Sequence, residues 1–155
     1  MPLNSSLFTR LLLLPRFHSN LTFFEMSNRA AFVDSPKGPI VVRDTEVFEP
    51  EQGEVQIKVH SCAIQPIDAK VARLGIMPLE YPAILGSQVA GVISAVGADV
   101  TTFSVGDRVV GTTKAVAQKK AKFGGLQRFA ILDASGLVEV SEGFQILMAK
   151  PNQNS

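Results

Sequence analysis

The chain has one cysteine, Cys62, in 155 residues. A lone thiol cannot close an internal disulfide, and it excludes the multi-cysteine frameworks of small secreted domains and of structural zinc sites. A cytoplasmic setting is therefore expected. A dominant charge sign is also missing, since 15 Lys+Arg stand against 14 Asp+Glu for a net charge of +1. Such a balance gathers neither phosphate backbones nor anionic lipids, so no nucleic acid and no membrane is expected as a partner. The longest strongly apolar run near the start is Leu11-Leu12-Leu13-Leu14, bracketed by Arg10 and Pro15-Arg16. It falls far short of the roughly 20 residues of a spanning helix. Histidine is scarce as well. Only His18 and His60 are present, whereas catalytic zinc usually takes three His, Cys or carboxylate ligands.

Two glycine patterns that would carry nucleotide chemistry are absent. A dinucleotide fingerprint needs Gly-x-Gly-x-x-Gly between a strand and a helix, so that the backbone can approach a pyrophosphate. No two glycines here are spaced i, i+2. Gly86-Ser87-Gln88-Val89-Ala90-Gly91 has the spacing of a phosphate loop, but Val92-Ile93 follows where Lys and Ser/Thr should stand. These glycines read instead as allowing tight turns and close packing.

What is present, at 46% hydrophobic residues, suffices for one good core, because domains commonly run about 100–150 residues. Residues 1–25 differ in composition from the rest. They hold Arg10, Arg16, scattered serines and seven leucines, with no acid before Glu25. That bias suits a mitochondrial presequence, while Met26-Ser27-Asn28-Arg29-Ala30 would serve as an ordinary protein start. The segment is expected to be either an extension or disordered leader, or a targeting peptide that would place the protein in mitochondria. A secretory signal fits less well, because Arg10 interrupts the apolar centre.

From Arg29 onward, short strands alternate with Gly, Pro and Asp. Val55, Ile57 and Val59 alternate with Gln56, Lys58 and His60, a period of two that predicts a strand with one core face and one wet face. His60 is accordingly read as solvated. Cys62 has only His60 nearby to activate it and is read as a buried, inert thiol. Ala31–Val33 and Ile40–Val42 predict a hairpin about the turn 34–39. Val89–Val96 is β-branched and apolar, as suits a covered strand. Further strands are expected over 105–111 and 126–132, a short helix over 67–74, and an exposed loop or helical turn over 114–122. Many brief strands with almost no helix predict a mainly β fold, a small barrel or sandwich over residues 28–143. Residues 144–155 read as a polar tail that cannot form a domain.

Five stretches carry a resemblance. They are Gly53–Val59; Ala63-Ile64-Gln65-Pro66-Ile67-Asp68-Ala69-Lys70; Tyr81-Pro82-Ala83-Ile84-Leu85-Gly86 through Ile93; Val96-Gly97 with Phe103-Ser104-Val105-Gly106-Asp107-Arg108-Val109; and Gly125–Ala130. In this order and spacing the chain resembles the chaperonin-10-like (GroES-like) catalytic domain of medium-chain dehydrogenases and reductases, a partly open β-barrel with short helices. The cofactor-binding Rossmann half has no counterpart in the motifs. In the zinc alcohol dehydrogenases of that family, a ligand cysteine falls at Gln65, the proton-relay hydroxyl at Ile67 and a His-Glu pair at Ser87-Gln88. The resemblance therefore implies a zinc-free member, of the quinone or enoyl reductase type that includes the fungal trans-acting enoyl reductases. Such members deliver hydride from NADPH or NADH to an activated C=C bond of a small-molecule substrate. By the same resemblance Gln65, Asp68 and Lys70 line the cleft at the nicotinamide end, and no catalytic residue is singled out. Gln65 departs from the asparagine common there, and its longer side chain moves the amide donor. Asp68 and Lys70 have a plainer reading too, as the opening of a short helix where an acid favours the N-terminal dipole. A homodimer is compatible with this reading. Two other functions stay open: a non-enzymatic barrel module acting by protein contact, or an inactive product; a co-chaperonin ring is the weaker third.

Overall fold

The computed structural model describes residues 27–141. The expectations for 1–25 and 144–155, and with them His18, lie outside the described residues.

Two antiparallel sheets form the domain. The first has the order β2-β1-β4, from Asn28–Val33 (β1), Ile40–Thr45 (β2) and Ala83–Ile84 (β4). The second has the order β7-β3-β5-β6-β8, from Glu54–Ala63 (β3), Gln88–Val96 (β5), Arg108–Thr112 (β6), Phe129–Asp133 (β7) and Leu137–Glu139 (β8). Helix α1, Pro66–Leu74, joins β3 to β4, and the single turn α2, Ala115–Gln118, follows β6. The sheets do not close on each other. They are stitched through residues 126–128, where Ala31 N–H donates to Leu126 O at 2.9 Å and Arg128 N–H to Arg29 O at 3.1 Å. The strand expected over 126–132 is regular only from Phe129, because residues 126–128 are shared between the sheets: Arg128 N–H donates to Arg29 O while Arg128 O accepts from Val59 N–H at 2.8 Å. The architecture is the expected mainly β, partly open barrel. No helix among the described residues is long and apolar enough to cross a membrane.

The period-two reading of β3 holds for its core face. Val55 and Ile57 are fully buried and pack with Val89, Ile93, Val109, Ala130 and Leu132. The other face is wet at Lys58 and His60 but not at Gln56. Gln56 is buried, its amide donating to Phe48 O at 2.8 Å and its Oε1 accepting from Ser94 Oγ at 2.6 Å. The chain before β3 folds over that residue, which local periodicity does not register. The hairpin of β1 and β2 pairs Val33 with Ile40 about the expected turn. The strand expected from Val105 begins only at Arg108, because Ser104–Asp107 is a turn in which Ser104 N–H caps on Asp107 Oδ2 at 2.7 Å.

The stretch 114–122 is less exposed than its Lys, Ala and Gln content suggests. Ala115 is buried, and so is Lys122, whose ammonium reaches Glu51 and Glu54 at 3.0 Å and lies over the Phe123 ring. Burial draws the Lys122 pKa down, but the two carboxylates outweigh it and leave the group above its ordinary value. A lysine is tolerated there because its charge is paired. The other buried polar groups are similarly matched. Asn28, with no exposed surface, donates to Gln127 Oε1 at 2.9 Å and to the carbonyls of Glu46 and Phe129, and accepts from Phe129 N–H at 3.1 Å. Gln127 in turn donates to Gly124 O at 2.7 Å and to Lys122 O at 3.1 Å. Among the described residues no buried side-chain nitrogen or oxygen lacks a partner.

Strands β3 and β5 leave no room for a side chain at Gly91. A methyl group there would lie 2.2 Å from the Lys58 carbonyl oxygen, a contact that backbone on both sides must move to relieve. Gly91→Ala is expected to lower stability by about 3 kcal/mol, read as a reduced urea midpoint with an unchanged denaturant slope.

Candidate functional site

The segment between β3 and α1 carries the residues singled out from the sequence. Gln65 has extended backbone and serves as the N-cap, and Pro66 opens the helix where its missing N–H has no role to fill. Asp68, at the third helical position, reaches back so that Gln65 N–H donates to its Oδ2 at 2.8 Å. This is one half of a capping box. At the far end Gly75 takes a left-handed φ of 63° and its N–H donates to Val71 O at 3.0 Å.

Asp68 does more than cap. It is 5% exposed, and its Oδ1 accepts from Gly86 N–H at 3.1 Å and from Ser87 Oγ at 3.2 Å. The carboxylate thus pins the start of α1 to the turn between β4 and β5. That turn is held from the other side as well, with Gly86 O accepting from Thr113 Oγ1 at 2.8 Å and from Gly125 N–H at 3.0 Å. Gly86 sits at φ 102°, and a methyl group on it would meet Cys62 Sγ and Leu126 N, each at 2.8 Å. A side chain at that position is excluded by both torsion and space.

Four sequence positions meet here. Gln65 Nε2 donates to Gln88 Oε1 at 3.1 Å, directly beside the contact of Asp68 with Ser87. The structure therefore gathers Gln65, Asp68, Ser87 and Gln88 at one end of α1. Lys70 is exposed on the same helix and contacts none of them. His60 is exposed and away from the cluster, as its strand position implies. Among the described residues no group of three His, Cys, Asp or Glu is placed to hold a metal ion. Cys62 is half-buried against Gly86 and Gly125. Burial and, secondarily, the negative Asp68 push its thiol up to about 11. The role of Gly86 O as a shared acceptor for Thr113 and Gly125 had no sequence signal, because its donors are 27 and 39 residues away.

A cleft of about 520 Å³ opens beside the cluster, between α1 and the β1–β2 turn, with Asp68, Ile64, Leu85 and Leu126 in its wall. Every oxygen contact of Asp68 is with a donor. In Asp68→Asn the new NH₂ group must face Gln65 N–H or the Gly86–Ser87 pair, so a cost of about 2 kcal/mol is expected, seen as a lowered thermal midpoint. Cys62 is expected to resist iodoacetamide near neutral pH, with an alkylation rate that climbs roughly tenfold per pH unit until about pH 11, as the thiolate fraction does.

Residues 51–142 match the alcohol dehydrogenase GroES-like domain. Among curated proteins the chain is 35% identical over 111 residues to the zinc-binding alcohol dehydrogenase domain-containing protein cipB of Emericella nidulans, covering 71% of this chain and 35% of that protein. It is 33% identical over 96 residues to the trans-enoyl reductase himH of Aspergillus japonicus, covering 62% of this chain and 28% of the relative. Among solved structures, an alcohol dehydrogenase superfamily protein from Novosphingobium aromaticivorans superposes with a TM-score of 0.67 at 32% identity, over 76% of this chain and 36% of that one. The chain spans about a third of the length of the curated relatives it matches. With its mainly β fold, its capped helix α1 and its Gly86–Ser87 turn, the chain belongs to the alcohol dehydrogenase GroES-like domain family of the medium-chain dehydrogenases and reductases.

Proposed function

We propose that this domain forms the substrate side of an NAD(P)H-dependent oxidoreductase that works without zinc, reducing an activated C=C bond in the manner of enoyl or quinone reductases. The observation that carries the reading is the hydrogen bond between Gln65 Nε2 and Gln88 Oε1 at 3.1 Å. By the family resemblance, Gln65 stands where zinc-dependent members keep a ligand cysteine and Gln88 where they keep the glutamate of a His-Glu pair. Here both positions hold carboxamides, and Ser87, at the histidine of that pair, is a hydroxyl engaged with Asp68. Zinc favours thiolate, imidazole and carboxylate donors, so this donor set does not fit the ion. An interlocked amide pair suits a site that orients neutral carbonyl groups.

Hydride transfer asks of the protein mainly orientation and a donor near the developing enolate oxygen. The nicotinamide supplies the hydride. Gln65, with one amide proton committed to Gln88, keeps a second for a substrate carbonyl. Asp68 is saturated by its three donors, so its part is to hold Gln65 and Ser87 in register. Lys70, exposed and without an ion pair among the described residues, is free to meet an anionic group of the cofactor.

A second reading has its own support. Ile64 is 73% exposed, and Leu74 and Ile76 are more than half exposed around α1, a concentration of apolar surface that suits contact with another protein. The purified chain is expected to carry well under one zinc per molecule after growth in zinc-supplemented medium, and stoichiometric zinc would refute the zinc-free reading. In calorimetry with chelator present, NADPH is expected to bind about tenfold more weakly to Lys70→Ala, the effect of one lost charge-assisted contact to the cofactor. Absence of any NADPH heat would favour the protein-contact module.

A further inference from the structure

The cleft beside α1 has a polarity that the reductase chemistry does not use. Its walls are aliphatic, formed by Ile40, Ile64, Leu85 and Leu126, with no aromatic ring among its lining residues. Its two cations are Lys37 and Arg73. They belong to one end of the cleft, because the β1–β2 turn packs on the C-terminus of α1. A methyl group on Gly75, the helix C-cap, would lie 3.6 Å from Pro36 Cβ and 3.7 Å from Lys37 Cγ. Arg73 is in the last turn of the same helix. Neither cation has a hydrogen bond or ion pair among the described residues.

The nearby acids are already committed. Asp34, in the same turn as Lys37, is held by a two-pronged contact with Arg43 at 2.7 and 2.8 Å, and Arg43 also stacks on Phe32. That pairing lowers the Asp34 pKa, keeping it ionised and bound to Arg43. Asp68, toward the other end of α1, spends its oxygens on Gln65, Gly86 and Ser87. The acid of the turn is thus spent on Arg43 of β2, which leaves Lys37 of the turn and Arg73 of α1 for something outside the fold.

We propose that this cleft binds a medium-chain fatty acid anion, with the aliphatic chain along Ile40, Ile64, Leu85 and Leu126 and the carboxylate between Lys37 and Arg73. A volume of about 520 Å³ is within the common range for small-ligand sites. Aliphatic walls reward burial of methylene groups, and a carboxylate requires a paired cation on leaving water. Ring ligands gain little from walls without aromatic partners. This inference stands apart from the reductase reading, since binding at the cleft requires neither cofactor nor reaction.

Titration of the 155-residue chain with decanoate and with decanol, followed by calorimetry, tests it. Decanoate is expected to bind saturably and at least tenfold more tightly than decanol. The double variant Lys37→Gln/Arg73→Gln should bring decanoate down to the affinity of decanol, leaving decanol unchanged. Ile64→Asp, at an exposed wall position that the fold tolerates, should weaken decanoate about tenfold through repulsion and lost apolar contact. Absence of decanoate binding into the millimolar range, equal affinities for the acid and the alcohol, or indifference to both variants would each overturn the proposal.

Discussion

The buried carboxylate of Asp68 is the constraint on which the arrangement of the site depends. A carboxylate at 5% exposure would be costly unpaired, yet its two oxygens take donors from Gln65, Gly86 and Ser87. Those donors come from two separate parts of the chain. The interaction converts a helix start and a strand-connecting turn into one rigid unit. Gln65 and Gln88 are neighbours because that unit exists, and Cys62 lies against it with a thiol held in its protonated form.

A second polar contact does comparable service for the barrel as a whole. Asn28 and Gln127 sit where the two sheets would otherwise part, and they satisfy backbone groups of Glu46, Gly124 and Phe129 that neither ladder reaches. Lys122 braces the start of β3 through Glu51 and Glu54. The apolar core of β3, β5 and β7 supplies the bulk of the stabilisation, while these polar ties select one way of bringing the sheets together.

Much of the candidate site was legible because its signals are local. Asp68 and Lys70 read as the opening of a short helix, which the structure extends back by one residue to Pro66, and the glycines at 86 and 91 read as allowing a tight turn and close packing. The resemblance to a known family rested on the order of such short patterns. Two features were invisible for a common reason. Gln56 looks solvent-facing by alternation, and Lys122 looks like part of a polar loop, but their covering partners, Phe48 with Ser94 and Glu51 with Glu54, come from elsewhere in the chain. Periodicity reports which side of a strand faces its own sheet's core, and says nothing of a distant segment laid across the other side.

By itself the sequence determined that the domain is mainly β and that a short helix lies near 67–74, and the family resemblance matched Gln65, Ser87 and Gln88 to the cysteine and the His-Glu pair of zinc-dependent relatives. Only the tertiary structure decided that Gln65 bonds to Gln88, that Asp68 is consumed as an anchor, and that Lys37 and Arg73 line the same cleft as this already committed acid. The division has a physical basis. Backbone propensity, capping and alternation act within a few residues, whereas hydrogen-bond saturation and charge pairing depend on which distant groups the fold brings within about 3 Å.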